Sequence, residues 1–175
     1  LSETKDLSLL SSRELASMAQ NQPDNTTLIL NWMHRSLRDP FGVKPECFAA
    51  FTRLLPKIIE QEPPAPVGFV LGQLAMKPGV IAPSHLLNTA FKVERQGEFS
   101  LALRLLDAVL RDPQTSERDM ESALFRAAIL CETAMNNPQR ALITYQEVVR
   151  RFPMSPFAEQ AKSRGQALAA RMPRT

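Results

Sequence analysis

The residues of this chain best suited to hold a metal or move a proton near neutral pH are two histidines, His34 and His85, and two cysteines, Cys47 and Cys131. A metal site needs such ligands paired at short helical or turn spacings, and here each stands alone. There is no HExxH, no CxxC and no acidic calcium loop. The glycines form neither GxGxxG nor a Walker loop, and no GxSxG elbow presents a nucleophilic serine. His34 follows Met33 within a helical stretch and His85 falls in the first turn of a later helix, so both read as packing or surface residues. Cys47, beside Phe48 and Ala49, and Cys131, after Leu130, read as buried thiols in a reducing compartment rather than as a disulfide. The expectation is no catalytic residue, no metal and no cofactor. An enzyme of unrecognised type is an alternative, and it would need a pocket in which polar groups converge.

Composition narrows the classes further. Hydrophobic residues make up 44% of 175 and charged residues 22%, which is enough apolar surface for a packed core and unlike a disordered chain. The net charge of +3 is small and scattered. Its short basic groups, Arg35 with Arg38 and Arg150 with Arg151, form no stripe, and one Trp and one Tyr supply no base-stacking platform. No nucleic-acid partner is expected. The longest apolar run, Val67 to Met76, is broken by Gly68, Gly72 and Gln73 and falls short of the ~18 residues a spanning helix needs. Its Gly68 and Gly72 fit close helix packing in a core. The chain begins at Leu1, as a processed fragment would, so a membrane tether outside it is left open. The expected location is the cytoplasm or the cytoplasmic face of a membrane.

The elements that would position any site are helices throughout. Residues 1–10 read as a polar tail. Ser11 and Glu14 form a capping box for a helix to about Gln20. Ile29, Trp32, Met33 and Leu37 mark a second helix, and Pro45 opens a third carrying Phe48, Phe51, Leu55 and Ile59, which Pro56 is expected to kink or break. Glu62 to Pro66 reads as a stiff connector, followed by a short helix over about 66–76. From Pro83 onward four further helices follow, divided by Gly97, by Asp112-Pro113 and by Asn136-Asn137-Pro138, and a last helix follows Ser155-Pro156. No stretch alternates with period two.

Two segments repeat one another. Gly97, Phe99, Ala102, Leu106 and Pro113 stand in the order glycine, aromatic, small residue, large residue, closing proline. Asn136, Ala141, Tyr145 and Pro153 repeat the order with asparagine at the turn. Small residues let two antiparallel helices approach at their crossing, large ones fill the gap to the next pair, and proline ends the second helix. Over residues 83–170 this pattern resembles the tetratricopeptide repeat (TPR) superfamily. The two alanines are 39 residues apart (141 − 102) against about 34 in the family, and the extra residues are placed at Gln114 to Arg118. The first-helix pattern is degraded: Leu86, Thr89-Ala90 and Val93 stand where the family favours Trp, Leu-Gly and Tyr. The run from Arg150 to Ala161 is similar to bacterial envelope and scaffold members.

The resemblance implies an all-α fold: a right-handed superhelix of antiparallel hairpins over 83–175, with a capping last helix and an N-terminal helical region over 11–82. That region either continues the superhelix or forms a separate cap. The resemblance also implies a non-catalytic protein-interaction scaffold holding a partner protein or peptide in a concave groove lined by the first helix of each hairpin. On this chain the groove positions fall at Asn88, Phe91, Arg95, Arg126 and Leu130. The lysines of a carboxylate-gripping clamp are not among them, so no C-terminal carboxylate is expected as ligand. An accessory or regulatory domain of a larger membrane-attached protein is a second alternative. Partner identity and oligomeric state are left open.

Overall fold

A computed structural model describes residues 6–173 and is helical, with no strand among them. The chain divides into two compact units, Leu1–Gln73 and Leu74–Thr175. The division falls ahead of Pro83, where the repeat-like pattern begins. Among the described residues no helix is long and apolar enough to cross a membrane.

The first unit contains α1 (Ser12–Asn21), α2 (Thr26–Ser36), α3 (Pro45–Gln61) and the body of α4 (Pro64–Leu74). Of the tail expected over 1–10, residues 1–5 lie outside the described residues. Leu7–Leu9 form a 3-10 turn and Leu10 is buried, so the chain is already anchored before α1. The capping box is formed: Ser11 N donates to Glu14 Oε2 at 2.9 Å and Glu14 N donates to Ser11 Oγ at 3.3 Å. Asn25 Oδ1 caps α2 by accepting from Leu28 N at 3.0 Å. Leu15, Leu28, Met33, Phe51, Ile58 and Leu71 are fully buried.

Of two expected breaks at prolines, one is not found and the other is shorter. Pro56 does not break α3, which runs on to Gln61. A proline inside a helix costs about 3 kcal/mol. Pro56 faces solvent, whereas Leu54, Leu55, Ile58 and Ile59 around it are buried, and burying each such side chain gains about 1.5–3 kcal/mol. The apolar face therefore holds the helix together. The connector over Glu62 to Pro66 is also shorter than expected, because α4 starts at Pro64. First-turn N–H groups have no intrahelical partner, so Pro64 and Pro66 forfeit no bond there.

The second unit contains α5 (Pro83–Arg95), α6 (Phe99–Arg111), α7 (Glu117–Thr133), α8 (Pro138–Arg151) and α9 (Ala158–Arg171). Consecutive helices pack on one another, α5 also touches α7, and the arrangement is compatible with a helical repeat. Ala102 and Ala141 are fully buried, as are the large partners Leu106 and Tyr145. The spacing between the repeats is taken up differently from the expectation. Only residues 112–116 separate α6 from α7, and α7 has 17 residues where α5 has 13, so the first helix itself is longer. Asp112, 3% exposed, ties the unit's entry to the end of α6 by accepting from Gly79 N at 3.0 Å and Gln114 N at 2.8 Å.

The two hairpin turns explain their residue types. Gly97 has φ +82° and Asn136 φ +47°, the left-handed region that glycine enters freely and asparagine tolerates. A Cβ at Gly97 would meet no atom within 4 Å, so strain there is purely conformational. Gly97→Ala is expected to lower stability by about 1 kcal/mol, read as a fall in the urea midpoint with the slope unchanged.

Candidate functional site

Among the described residues no three histidines, cysteines or carboxylates converge as a metal site would require. His34 is half-buried against the Phe69 ring, centroids 5.3 Å apart, and burial with the nearby Arg38 charge pushes its pKa down. Cys47 and Cys131 are both buried; burial lifts the Cys47 thiol to about 11 and raises that of Cys131 as well. Both are thus poor nucleophiles. A thiol-reactive dye at pH 8 is expected to leave both unlabelled in the folded protein and to label both within minutes in denaturant. Fast labelling of the folded chain would contradict their burial.

The most distinctive feature of the second unit is a cleft of about 400 Å³ between α5, α7 and the entry to α9. Phe91 and Arg95 reach it from α5, Ser122, Phe125 and Arg126 from α7, and Phe157 from the residue before α9. Its apolar wall is a stacked pair: the Phe125 and Phe157 rings lie 4.7 Å apart at 13°. Tyr145 of α8 backs Phe125 at 6.2 Å. Parallel offset rings present a flat apolar surface and resist rotation.

The cleft also carries a fixed charged pair. The Arg126 guanidinium forks onto Glu94, with Nε to Oε2 at 2.7 Å and a second contact from Nη2 to Oε1. That hydrogen bonding raises the Arg126 pKa against the opposing effect of burial. The Glu94 side chain is only 10% exposed, so the pair joins α5 to α7 and orients the arginine along the rim. Arg95, one residue on, is exposed and makes no ion pair with Asp or Glu among the described residues.

Of the five groove positions expected from the sequence, the structure brings Phe91, Arg95 and Arg126 into this cleft. Asn88 is exposed but does not line it. Leu130 is 1% exposed and packs in the core, so it offers no surface to a partner. The reason is rotational. Four residues on a helix advance 40° beyond a full turn, and α7 is buried round much of its circumference, from Ala123 to Cys131. The step from Arg126 to Leu130 therefore leaves the rim for the interior. Glu94, Phe125 and Phe157 were not among the expected residues. Phe125 had a signal, since it stands where the tetratricopeptide resemblance favours Trp in the second segment, but the approach of Phe157 depends on how α9 folds back.

Comparison with protein-family models, with curated proteins and with solved structures finds no match to this chain.

Proposed function

We propose that the second unit is a TPR-like stack of hairpins in a right-handed superhelix, and that the cleft between its first helices, α5 and α7, holds a peptide or helix of a partner protein. The carrying observation is the convergence of Phe91, Arg95 and Arg126 from two helices on one cleft walled by the Phe125–Phe157 stack. Aromatic anchors beside arginines, one of them fixed by Glu94, are the composition of binding hot spots. Phe91 and the stacked rings would take an apolar side chain, Arg126 held by Glu94 would donate to a backbone carbonyl, and Arg95 would face an acidic residue. The cleft contains no nucleophile and base in hydrogen-bond reach, and the two histidines and two cysteines do not line it, so a binding role fits it better than a catalytic one.

Affinity capture from an extract of cells that express the protein is the test. Wild-type chain is expected to retain a discrete partner that Phe91→Glu with Arg95→Glu does not. Equal retention by the folded double variant would remove the cleft from the account.

A further inference from the structure

The other end of the second unit carries a different surface. α5 is followed by its hairpin partner α6, and α7 by α8, whereas among the described residues no helix follows α9. Between α8 and α9 an open groove of about 320 Å³ runs along Leu142, Tyr145 and Val149 on one side and Ala161, Gly165 and Ala169 on the other. Gly165 is among the lining residues, and a Cβ added there would stand 3.5 Å from Tyr145 Cβ, so the missing side chain lets α8 and α9 approach closely. Ile143, on the adjoining face of α8, is 66% exposed. The lining runs from Leu142 to Arg150 on α8 and from Ala161 to Ala169 on α9, about 12 Å or two helical turns of each.

Charge says what kind of helix. From Pro138 to Thr175 the sequence holds seven Lys and Arg against two Asp and Glu; Arg140 is paired with Asp107 of α6, and Arg164 and Arg171 share Glu132 of α7, so the balance stays positive but is smaller than the sequence tally. The groove is rimmed by Arg150 and Lys162, and no carboxylate lines it. Arg150 forks onto Glu147 at 2.9 and 2.6 Å, and Arg151 reaches the same carboxylate at 3.9 Å, so that cluster keeps one positive charge. Lys162 makes no ion pair with Asp or Glu among the described residues. Two copies of this face would set Lys162 and the Arg150 cluster against themselves, which disfavours self-pairing. A recessed apolar groove between two helices also suits a helix better than a flat lipid surface.

We infer that the α8–α9 groove is a second docking surface, distinct from the α5–α7 cleft, and that its occupant is an acidic amphipathic helix of a partner protein, aliphatic along one stripe and flanked by Asp and Glu. The test uses two synthetic helical peptides of about 18 residues with the same Leu/Ile stripe at i, i+3, i+4 and i+7, one flanked by Glu and the other by Lys, titrated against the full chain by fluorescence anisotropy. The Glu-flanked peptide is expected to bind, and the Lys-flanked one about tenfold or more weaker. Lys162→Glu and Ala169→Glu, both at exposed positions, are each expected to weaken the Glu-flanked peptide about tenfold with the melting temperature little changed. Phe91→Glu is expected to leave that binding intact, which separates this surface from the cleft. Four results would overturn the inference: no preference for the Glu-flanked peptide, binding indifferent to both groove variants, concentration-dependent dimers that Ala169→Glu abolishes, or binding of anionic vesicles in place of the peptide.

Discussion

Replacing Glu132 with alanine is expected to destabilise the protein by about 3 kcal/mol. Glu132 lies in the last turn of α7, its side chain 15% exposed. Its Oε2 accepts from the Tyr145 hydroxyl at 2.5 Å and from Arg164 Nη1 at 3.0 Å, and Arg171 stands 3.6 Å from Oε1. One carboxylate thereby fastens α8 and α9 to α7. Tyr145 is fully buried, and its phenol pKa is pushed up by burial and by the bond to Glu132, so it stays a donor. Without the carboxylate that donor is stranded and both arginines lose their partner. Tyr145→Phe is expected to cost less, about 1 kcal/mol, because Glu132 keeps Arg164 and Arg171. The double variant should fall short of the sum, since the two residues share one bond.

The same carboxylate has a pH signature. Burial alone would raise the Glu132 pKa, but hydrogen bonds from Tyr145 and Arg164 and the charges of Arg164 and Arg171 outweigh it, and the net shift is downward. A carboxyl depressed in the folded state adds stability above its unfolded pKa, about 4.3. That contribution is lost as pH falls through the folded value, because the unfolded chain takes up the proton first. Wild type should therefore lose stability from about pH 5 downward more steeply than Glu132→Ala, and the gap between them should close in acid. A gap that is constant from neutral to acid pH would contradict the assignment.

The second large effect concerns binding. Phe91→Glu puts a carboxylate beside the Phe125–Phe157 stack and is expected to weaken the partner about 100-fold, mostly through faster dissociation, as loss of a buried aromatic anchor does. Arg95→Glu should act mainly on association, by about tenfold, with an effect that shrinks as salt is raised. Arg95 is the cleaner charge to reverse. Arg126→Glu would set a second carboxylate against the 10% exposed side chain of Glu94 and strip the tie between α5 and α7, so any loss of binding would be mixed with loss of fold. Association and dissociation rates measured at two salt concentrations separate the two roles.

Much of the fold was legible because its punctuation is local. Ser11 with Glu14, Pro45, Pro83, Gly97, Asn136 and Pro138 each act within one turn of the chain, and every helix they bound is present. What misled was also local. Pro56 and the prolines at 64 and 66 carry breaker signals, but one is outweighed by the buried face of α3 and the others occupy first-turn positions without a bond to lose. The candidate site was legible only as far as one helix face can be counted. Phe91, Arg95 and Arg126 line one cleft, whereas Leu130 is buried, because a rim at one turn is core at the next. Glu94 with Arg126, Phe125 with Phe157 and Glu132 with Arg164 are each 32 residues apart. Pairs at that separation meet only once hairpins stack, and no single-sequence periodicity shows them.

The claim that a partner lies in the α5–α7 cleft is tested most directly by site-specific photocrosslinking. A benzophenone side chain replaces Ser122, which lines the cleft, or Ser163, an exposed position on α9 that lines neither groove. Irradiation in an extract of cells that express the protein should join the Ser122 chain to a discrete partner, leave the Ser163 chain alone, and fail at Ser122 when Phe91→Glu is added. Equal crosslinking from both positions, or a Ser122 product that survives Phe91→Glu, would contradict the account.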